Sequence, residues 1–465
     1  MINKILCSGK STLLETLKVI NGNGKGIVFV VNNAKQVQGV LTDGDIRRLL
    51  LKGLSLKEKI IKYVNKNFVY ALSDQSQEEI ISKFNEKIKI IPVVDKTFKF
   101  IDYFELKHGI HLPLAQQDLS QKEFEYLTEA FLSTWISSTG KYIELFENKF
   151  SDYCECKYGV STSNGTTALH LALMALGIGQ GDEVIVPDLT FAATINAVFY
   201  VGATPVIVDV EADSWGIDPV EIERAITPRT KAIIPVHLYG QPCDMDAIMT
   251  IAKRNKLFVI EDCAEAHGAM YDRKKVGSFG DIGCFSFFAN KIITTGEGGM
   301  CTTNSYELND KMRVLRDHGM NKSKRYWHDV VGYNYRLTNL QAAIGVAQVE
   351  RIDEILKKRE EVEDIYRKTL LDIKFLEFQP NDLAKRKKIT WLVCILINGY
   401  DRDDYVQILK QKGLDVRPMF YSLSEMPLYK KYSFSNKNSL NLSRRGICLP
   451  THCKMMEIKK EWFSV

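Results

Sequence analysis

KLFVIEDCAEAHGAMYDRKKVGSFGDIGCFSFFANKIITTGEGGM, residues 256–300, decides how this chain folds. It holds two apolar runs, LFVI and CFSFF. Asp262 follows the first, and Asn290 and Lys291 follow the second. Runs that are apolar at nearly every position read as strands buried on both faces, in a parallel sheet covered by helices. The stretch between Asp262 and Lys291 leaves room for a connection and a second strand, so both can reach one sheet edge. The carboxyl edge of such a sheet is where open α/β folds bind ligands. A carboxylate buried there is costly unless paired, and a cationic aromatic nitrogen would pair with it. The plainer reading of Asp262 is a helix cap. A lysine that follows a buried strand is partly desolvated, which lowers its pKa and makes it an amine nucleophile for an aldehyde. The plainer reading of Lys291 is an exposed loop lysine.

Working outward, VSTSNGTTALHLALMALG (160–177) reads as a strand ending at Ser163-Asn164-Gly165 and a helix from Thr166. Leu169, Ala172, Leu173 and Leu176 form its apolar stripe, and Gly177 suits its end. A glycine turn that opens a helix presents free N–H groups and the positive end of the dipole, which suits a phosphate. A simple capped helix is the plainer reading. Ser286, five residues before the lysine, can add a hydroxyl to the same cup. DEVIVPD (182–188), ATPVIVDV (203–210) and TKAIIPVHLYG (230–240) are further buried strands, and ITWLVCILI (389–397) restarts the pattern as a smaller α+β lobe.

Residues 1–106 differ from the rest. They are rich in Lys, Ile and Asn, with short strands at 26–31 and 88–95 and a strand, turn and helix over 38–53. A helix over 75–87 would place Ile80, Ile81 and Phe84 on one face. The order helix, strand, strand, helix repeats in weakened form. We expect a block 1–106, a linker 107–120, a large domain 121–375 and a small domain 376–465. SGKST (8–12) suggests a P-loop, but the earlier glycine that motif requires falls on Lys4, so triphosphate hydrolysis is rejected.

Composition excludes several classes. A net charge of +5, with both signs interleaved along 465 residues, is not a nucleic-acid footprint. No apolar run reaches the ~20 residues of a membrane span, and the N-terminus lacks a signal-peptide core. The ten cysteines include no C-x-x-C pair and no zinc spacing, so we expect reduced thiols, a cytoplasmic protein and no metal.

NGTTALHLAL (164–173), VPDLTFAATINAV (186–198), IVDVEADSWGID (207–218), VHLYGQPCDMDAI (236–248), IEDCAEAHGA (260–269), GSFGDIGCFSFFANKIITTGEGGM (277–300) and GYNYRLTNLQAAIGVAQ (332–348) closely resemble the DegT/DnrJ/EryC1/StrS family, in that family's order. The resemblance covers about residues 110–465. It implies the aspartate-aminotransferase fold (type I) with a mostly parallel central sheet, and a pyridoxal 5'-phosphate (PLP) dependent sugar-nucleotide aminotransferase. Within the family the chain is similar to the branch that aminates C4 of a GDP-linked 4-keto-6-deoxy sugar with L-glutamate, for surface polysaccharide. Amination at C3 and a non-catalytic nucleotide sensor are the alternatives.

By that resemblance Lys291 would bond to the cofactor and move the substrate proton, and Asp262 would hold the ring nitrogen. Gly165, Thr166 and Ser286 would bind the phosphate, Phe191 would stack on the ring, and Glu265 would lie near the ring hydroxyl. Asn334 would reach the cofactor of a partner subunit in a homodimer with shared active sites. Trp135, His318 and Arg417 are the expected sugar-nucleotide contacts. A dehydratase branch has histidine in place of the lysine, and Lys291 excludes it. His267 reads as structural. GVLTDGDIRR (39–48) resembles a CBS domain, in which Thr42 and Asp45 would hold the ribose of an adenine nucleotide; the second repeat, around FIDYFELK (100–107), is degenerate.

Overall fold

The computed structural model describes residues 2–75, 79–80, 82–85, 88–105, 112–453, 455 and 458–464. It divides into two compact units, Met1–Leu112 with Gln411–Gly413, and Pro113–Lys410 with Leu414–Val465.

The first unit repeats one motif. Strand β1 (Leu6–Ser8), helix α1 (Leu13–Asn23), strands β2 (Ile27–Val31) and β3 (Val37–Thr42) and helix α2 (Asp43–Leu51) form the first half. Strands β4 (Ala71–Leu72), β5 (Ile90–Val94) and β6 (Phe100–Glu105) form the second. In each half the first strand pairs in parallel with the second, and the second pairs antiparallel with the third. One step along the chain carries the bulge at Val31 to the bulge at Val94, and the left-handed turn residue Lys35 (φ 59°) to Phe98 (φ 64°). Along β2 the side chains alternate: Val28 and Val30 join a core with Leu13, Ile20, Leu41 and Ile46, while Phe29 joins one with Val37, Val94 and Phe100. Thr42 and Asp45 form the capping box that starts α2. The same step carries Thr42 to Glu105. Part of the expected 75–87 helix, including Ile81, lies outside the described residues, as do residues 107–111 of the expected linker.

The second unit begins with helices α3 (Gln121–Leu132), capped by Ser120 and Glu123, and α4 (Lys141–Tyr153). The strands of its main sheet are β7 (Tyr158–Thr162), β8 (Glu183–Pro187), β9 (Thr204–Val208), β10 (Thr230–Ile233), β11 (Phe258–Asp262), β12 (Ile282–Ser286) and β13 (Gly299–Thr303). They lie in the order β7-β13-β12-β11-β10-β8-β9. β13 runs against both its neighbours, and the remaining pairs are parallel. Helix α5 (Gly165–Ala175) follows β7, α6 (Ala193–Tyr200) follows β8, and α7 (Met245–Asn255) precedes β11. Side chains of β8 alternate between two cores. Val184 and Val186 pack with Ala168, Leu169 and Ile195, and Ile185 packs with Ile248 and Val259. Helices therefore cover both faces, which is why the middles of these strands are largely apolar.

α8 (Asn339–Val349) packs on α3 and α4, and the long α9 (Ile352–Leu370) follows it. A four-stranded antiparallel sheet then forms the small lobe: β14 (Leu376–Phe378), β15 (Val393–Ile397), β16 (Arg417–Pro418) and β17 (Gly446–Leu449), in the order β14-β15-β17-β16. Among the described residues no helix is long and apolar enough to cross a membrane. All ten cysteines are free.

Candidate active site

The last two residues of β11 are both buried carboxylates, and the pleat sends them to opposite faces. Glu261 accepts N–H bonds from Gly277 (2.8 Å), Phe279 (2.7 Å) and Gly280 (2.8 Å), and bonds His237 Nε2 at 3.1 Å. His237 Nδ1 accepts the Cys243 N–H at 3.1 Å, so Nε2 carries the proton donated to Glu261. Glu261 thus stitches the turn before β12 to the strand, with its acceptors filled. With His237 and Cys263 it forms a potential metal-ligand cluster, but these hydrogen bonds already occupy the Glu261 oxygens and both His237 nitrogens.

Asp262 faces the other way, at the carboxyl edge. Its Oδ2 accepts the Thr194 hydroxyl at 2.8 Å and its Oδ1 accepts the Ala264 N–H at 3.2 Å. Thr194 in turn lies 3.0 Å from the Thr190 hydroxyl. Burial pushes the pKa of Asp262 up, and the Thr194 and Ala264 bonds and the charge of Lys291 oppose it. No ion pair to Asp262 occurs within 4.0 Å among the described residues, so a hydrogen-bonding cation is the partner it lacks.

Lys291 sits in the loop between β12 and β13. That loop is closed by Phe287 N–H to Gly298 O (2.8 Å) and Thr295 N–H to Phe287 O (3.0 Å). The Lys291 Nζ is 3.6 Å from Glu265 Oε1 and 4.0 Å from the centre of the Trp391 ring. Burial lowers its pKa, and the Glu265 and Asp262 carboxylates pull it back. Glu265 Oε2 accepts the Tyr239 N–H at 2.9 Å, and burial raises its pKa to about 7. Tyr239 holds a left-handed backbone (φ 53°, ψ 24°), a strained state for a side chain of its size. Its hydroxyl accepts the Phe420 N–H at 3.1 Å, and its ring stacks on Trp391 and on Phe420. Phe191 meets Phe420 at 5.7 Å, and 60% of its surface is open at the mouth of the site.

α5 begins at Gly165, one residue before the expected start, because Asn164 caps it: its side chain accepts the Thr167 N–H at 2.9 Å. A Cβ on Gly165 would lie 2.7 Å from the Ser286 Cβ, so only glycine lets the helix N-terminus approach the end of β12 this closely. Ser286 Oγ is 3.4 Å from the Phe288 N–H.

The structure therefore brings Asp262, Glu265 and Lys291 into one charge cluster and Gly165 against Ser286. It leaves four other expected residues apart from that cluster. Asn334 is exposed and bridges Asp317 through its backbone. Trp135, 61% exposed, lines a cavity of about 370 Å³ with Tyr142 and Asn339. His318 is exposed, with a left-handed φ of 60°, and its carbonyl accepts from His328 Nδ1 at 2.9 Å. Arg417 lies 3.6 Å from Asp415. His267 is packed among the Phe150, Phe285 and Phe287 rings, and burial drops its pKa to about 3, so it stays neutral.

Three residues of this centre were not singled out from the sequence. Thr194 had a signal, one helical turn beyond Phe191 in LTFAAT. Tyr239 and Trp391 had none, since both stand in apolar runs that read as core.

The donor set fits pyridoxal phosphate. A buried carboxylate short of a cation, an amine of lowered pKa, a helix N-terminus cleared of side chains and an aromatic lid match a cationic ring, an aldehyde, a phosphate and a flat face.

The model of the DegT/DnrJ/EryC1/StrS aminotransferase family matches residues 117–461. GDP-perosamine synthase of Escherichia coli O157:H7 is 47% identical over 342 residues, covering 73% of this chain and 93% of that protein. GDP-perosamine synthase of Caulobacter vibrioides is 47% identical over 350 residues, covering 74% and 94%. Among solved structures, Spr1654 of Streptococcus pneumoniae in its PLP form superposes with a TM-score of 0.72 at 28% identity, covering 76% of this chain and 96% of that one.

Proposed function

The chain belongs to the DegT/DnrJ/EryC1/StrS aminotransferase family, and we propose that it moves the amino group of L-glutamate onto C4 of a nucleotide-linked 4-keto-6-deoxy sugar. It is a PLP-dependent sugar aminotransferase. The observation that carries the reading is the meeting of Lys291 and Asp262 at the carboxyl edge of one buried sheet. When bound, the cofactor supplies an electron sink for the carbon that loses its proton.

The residues divide the remaining work. Asp262, aligned by Thr194, holds a proton on the ring nitrogen. Lys291, whose ammonium form burial disfavours, would bond the aldehyde and would then hold and move the proton at the substrate carbon. Gly165, Thr166 and Ser286 bind the phosphate, and Phe191 covers the ring. Glu265 lies beside the amine and takes or gives a proton near pH 7. Trp135, His318 and Arg417 would be the sugar-nucleotide contacts, and GDP is the nucleotide favoured by the two perosamine synthases. Asn334, exposed in this chain, completes the site of a second copy in a homodimer. The ten free thiols suit a cytoplasmic enzyme.

In the first unit, a cavity of about 370 Å³ is lined from both halves, with Lys25, Thr42, Asp45, Asn65, Phe68 and Lys89. We read it as the adenine-nucleotide site of a CBS pair. Thr42 and Asp45 already bond each other there, so a ribose would use their remaining lone pairs.

The test incubates purified protein with L-glutamate and a panel of GDP-, UDP- and dTDP-linked keto sugars. Amination of the GDP-linked 4-keto-6-deoxy sugar in preference to 3-keto sugars is the expected result. Amination at C3, or of none of the panel, contradicts the proposal.

A further inference from the structure

Trp391 comes from the small lobe, just before β15, and it is 4% exposed. Its carbonyl accepts a bond from the buried Arg359 Nη1 at 2.9 Å. Its indole N–H donates to the carbonyl of Asn290, the residue before Lys291, at 2.8 Å. Its ring lies within 13° of parallel to that of Tyr239, with the centres 5.8 Å apart. Backbone, indole nitrogen and ring are therefore each fixed. Against this platform stands the Lys291 amine, 4.0 Å from the ring centre and 3.6 Å from Glu265 Oε1.

We propose that Trp391 is a positioning residue for the free amine of Lys291, its ring face and the Glu265 carboxylate together forming the place where that amine rests when it is not bonded to the cofactor. The inference depends on Lys291 being the cofactor-bearing lysine. In each turnover Lys291 gives up that bond and works as a free base. A four-carbon side chain released into a site loses its aim unless something holds it, since its rotamer freedom is large. A second carboxylate would hold it but would pin the ammonium form. An aromatic face attracts the cation and leaves the neutral amine free to leave. The same indole clasps the loop at Asn290, so amine and backbone are set by one side chain.

A tryptophan that only fills space would leave the lysine's protonation the same whether an aromatic or an aliphatic side chain replaced it, and that separates the two cases. The full-length protein, stripped of cofactor, is reductively methylated with formaldehyde and cyanoborohydride across about pH 6 to 10, and labelling at Lys291 is followed by mass spectrometry. Only the free amine reacts. Trp391→Phe keeps an aromatic face, and Trp391→Leu keeps apolar cover without one. Trp391→Met serves in its place should the Leu variant not fold. The labelling midpoint of the ringless variant is expected about one pH unit below that of Trp391→Phe, because the ammonium has lost its π contact. In the loaded enzyme, kcat of the ringless variant should fall about tenfold, with KM for the sugar nucleotide held and Phe rescuing most of the loss. Equal midpoints in the Phe and ringless variants overturn the role of Trp391. Cofactor found on a lysine other than Lys291 overturns the reading beneath it instead.

Discussion

At the scale of the residue, the centre works by opposing burial with charge. Asp262 is raised by burial, yet it has a hydroxyl and an amide to hold it and faces a site suited to a cation. Asp262→Asn keeps the shape and removes the charge. Transfer should fall at least about a hundredfold while the protein remains folded, and an unchanged kcat would refute the ring-nitrogen role. Glu265, raised from 4.5 to about 7, makes a prediction about stability. Between those two values the folded cofactor-free protein binds a proton that the unfolded chain has released, so stability is full below pH 4.5 and is lost as pH rises towards 7. Glu265→Gln has no such proton. Parent and variant melting curves should therefore diverge by up to about 3 kcal/mol across that window, and parallel curves would count against the burial argument. Asp262 and Lys291 were legible in the sequence because each ends an apolar run, where a charge stands out. Trp391 and Tyr239 were not, because an aromatic residue inside an apolar run signals only core; its partner lies far along the chain and becomes visible only once the small lobe is in place.

At the scale of the element, a helix start and a strand end are brought closer than side chains normally allow. The missing Cβ at Gly165 admits Ser286 to the N-terminus of α5. Gly165→Ala should push the two apart, weakening cofactor binding about tenfold or more and costing roughly 1–3 kcal/mol of stability. Cofactor titration and thermal melting check this, and an unchanged affinity would remove Gly165 from the phosphate cup. The strands of the main sheet were readable because burial on both faces leaves a continuous apolar signature. The start of α5 was placed one residue late, since Asn164 and Thr167 settle it by a mutual cap that the apolar pattern does not record. Nothing in the sequence distinguishes Glu261 from the adjacent Asp262; only the pleat separates a stitched structural carboxylate from the one left for a ligand.

At the scale of the whole molecule, an aminotransferase unit is joined in sequence to a unit built of two related halves. The halves have diverged: the capping pair Thr42 and Asp45 begins α2, whereas Glu105 takes the place of Thr42 in the second half and pairs with Lys25. Their common order was visible in the sequence, but its symmetry was not, because the bulges at Val31 and Val94 belong to strand pairing rather than composition. If the cavity at Thr42 takes a nucleotide, AMP, ADP, ATP or S-adenosylmethionine at about a hundred times its Kd should stabilise the folded chain by about 3 kcal/mol, seen as a rise in Tm. No rise with any of the four would leave this unit without that ligand. The central claim, that an amine from the loop after β12 and a carboxylate ending the neighbouring β11 grip one cofactor, is tested most directly on the intact protein loaded with pyridoxal phosphate. Borohydride reduction followed by peptide mapping should place the cofactor's mass on Lys291 and extinguish the colour. Reduction that leaves Lys291 unmodified, or that fixes the cofactor to another lysine, would contradict it.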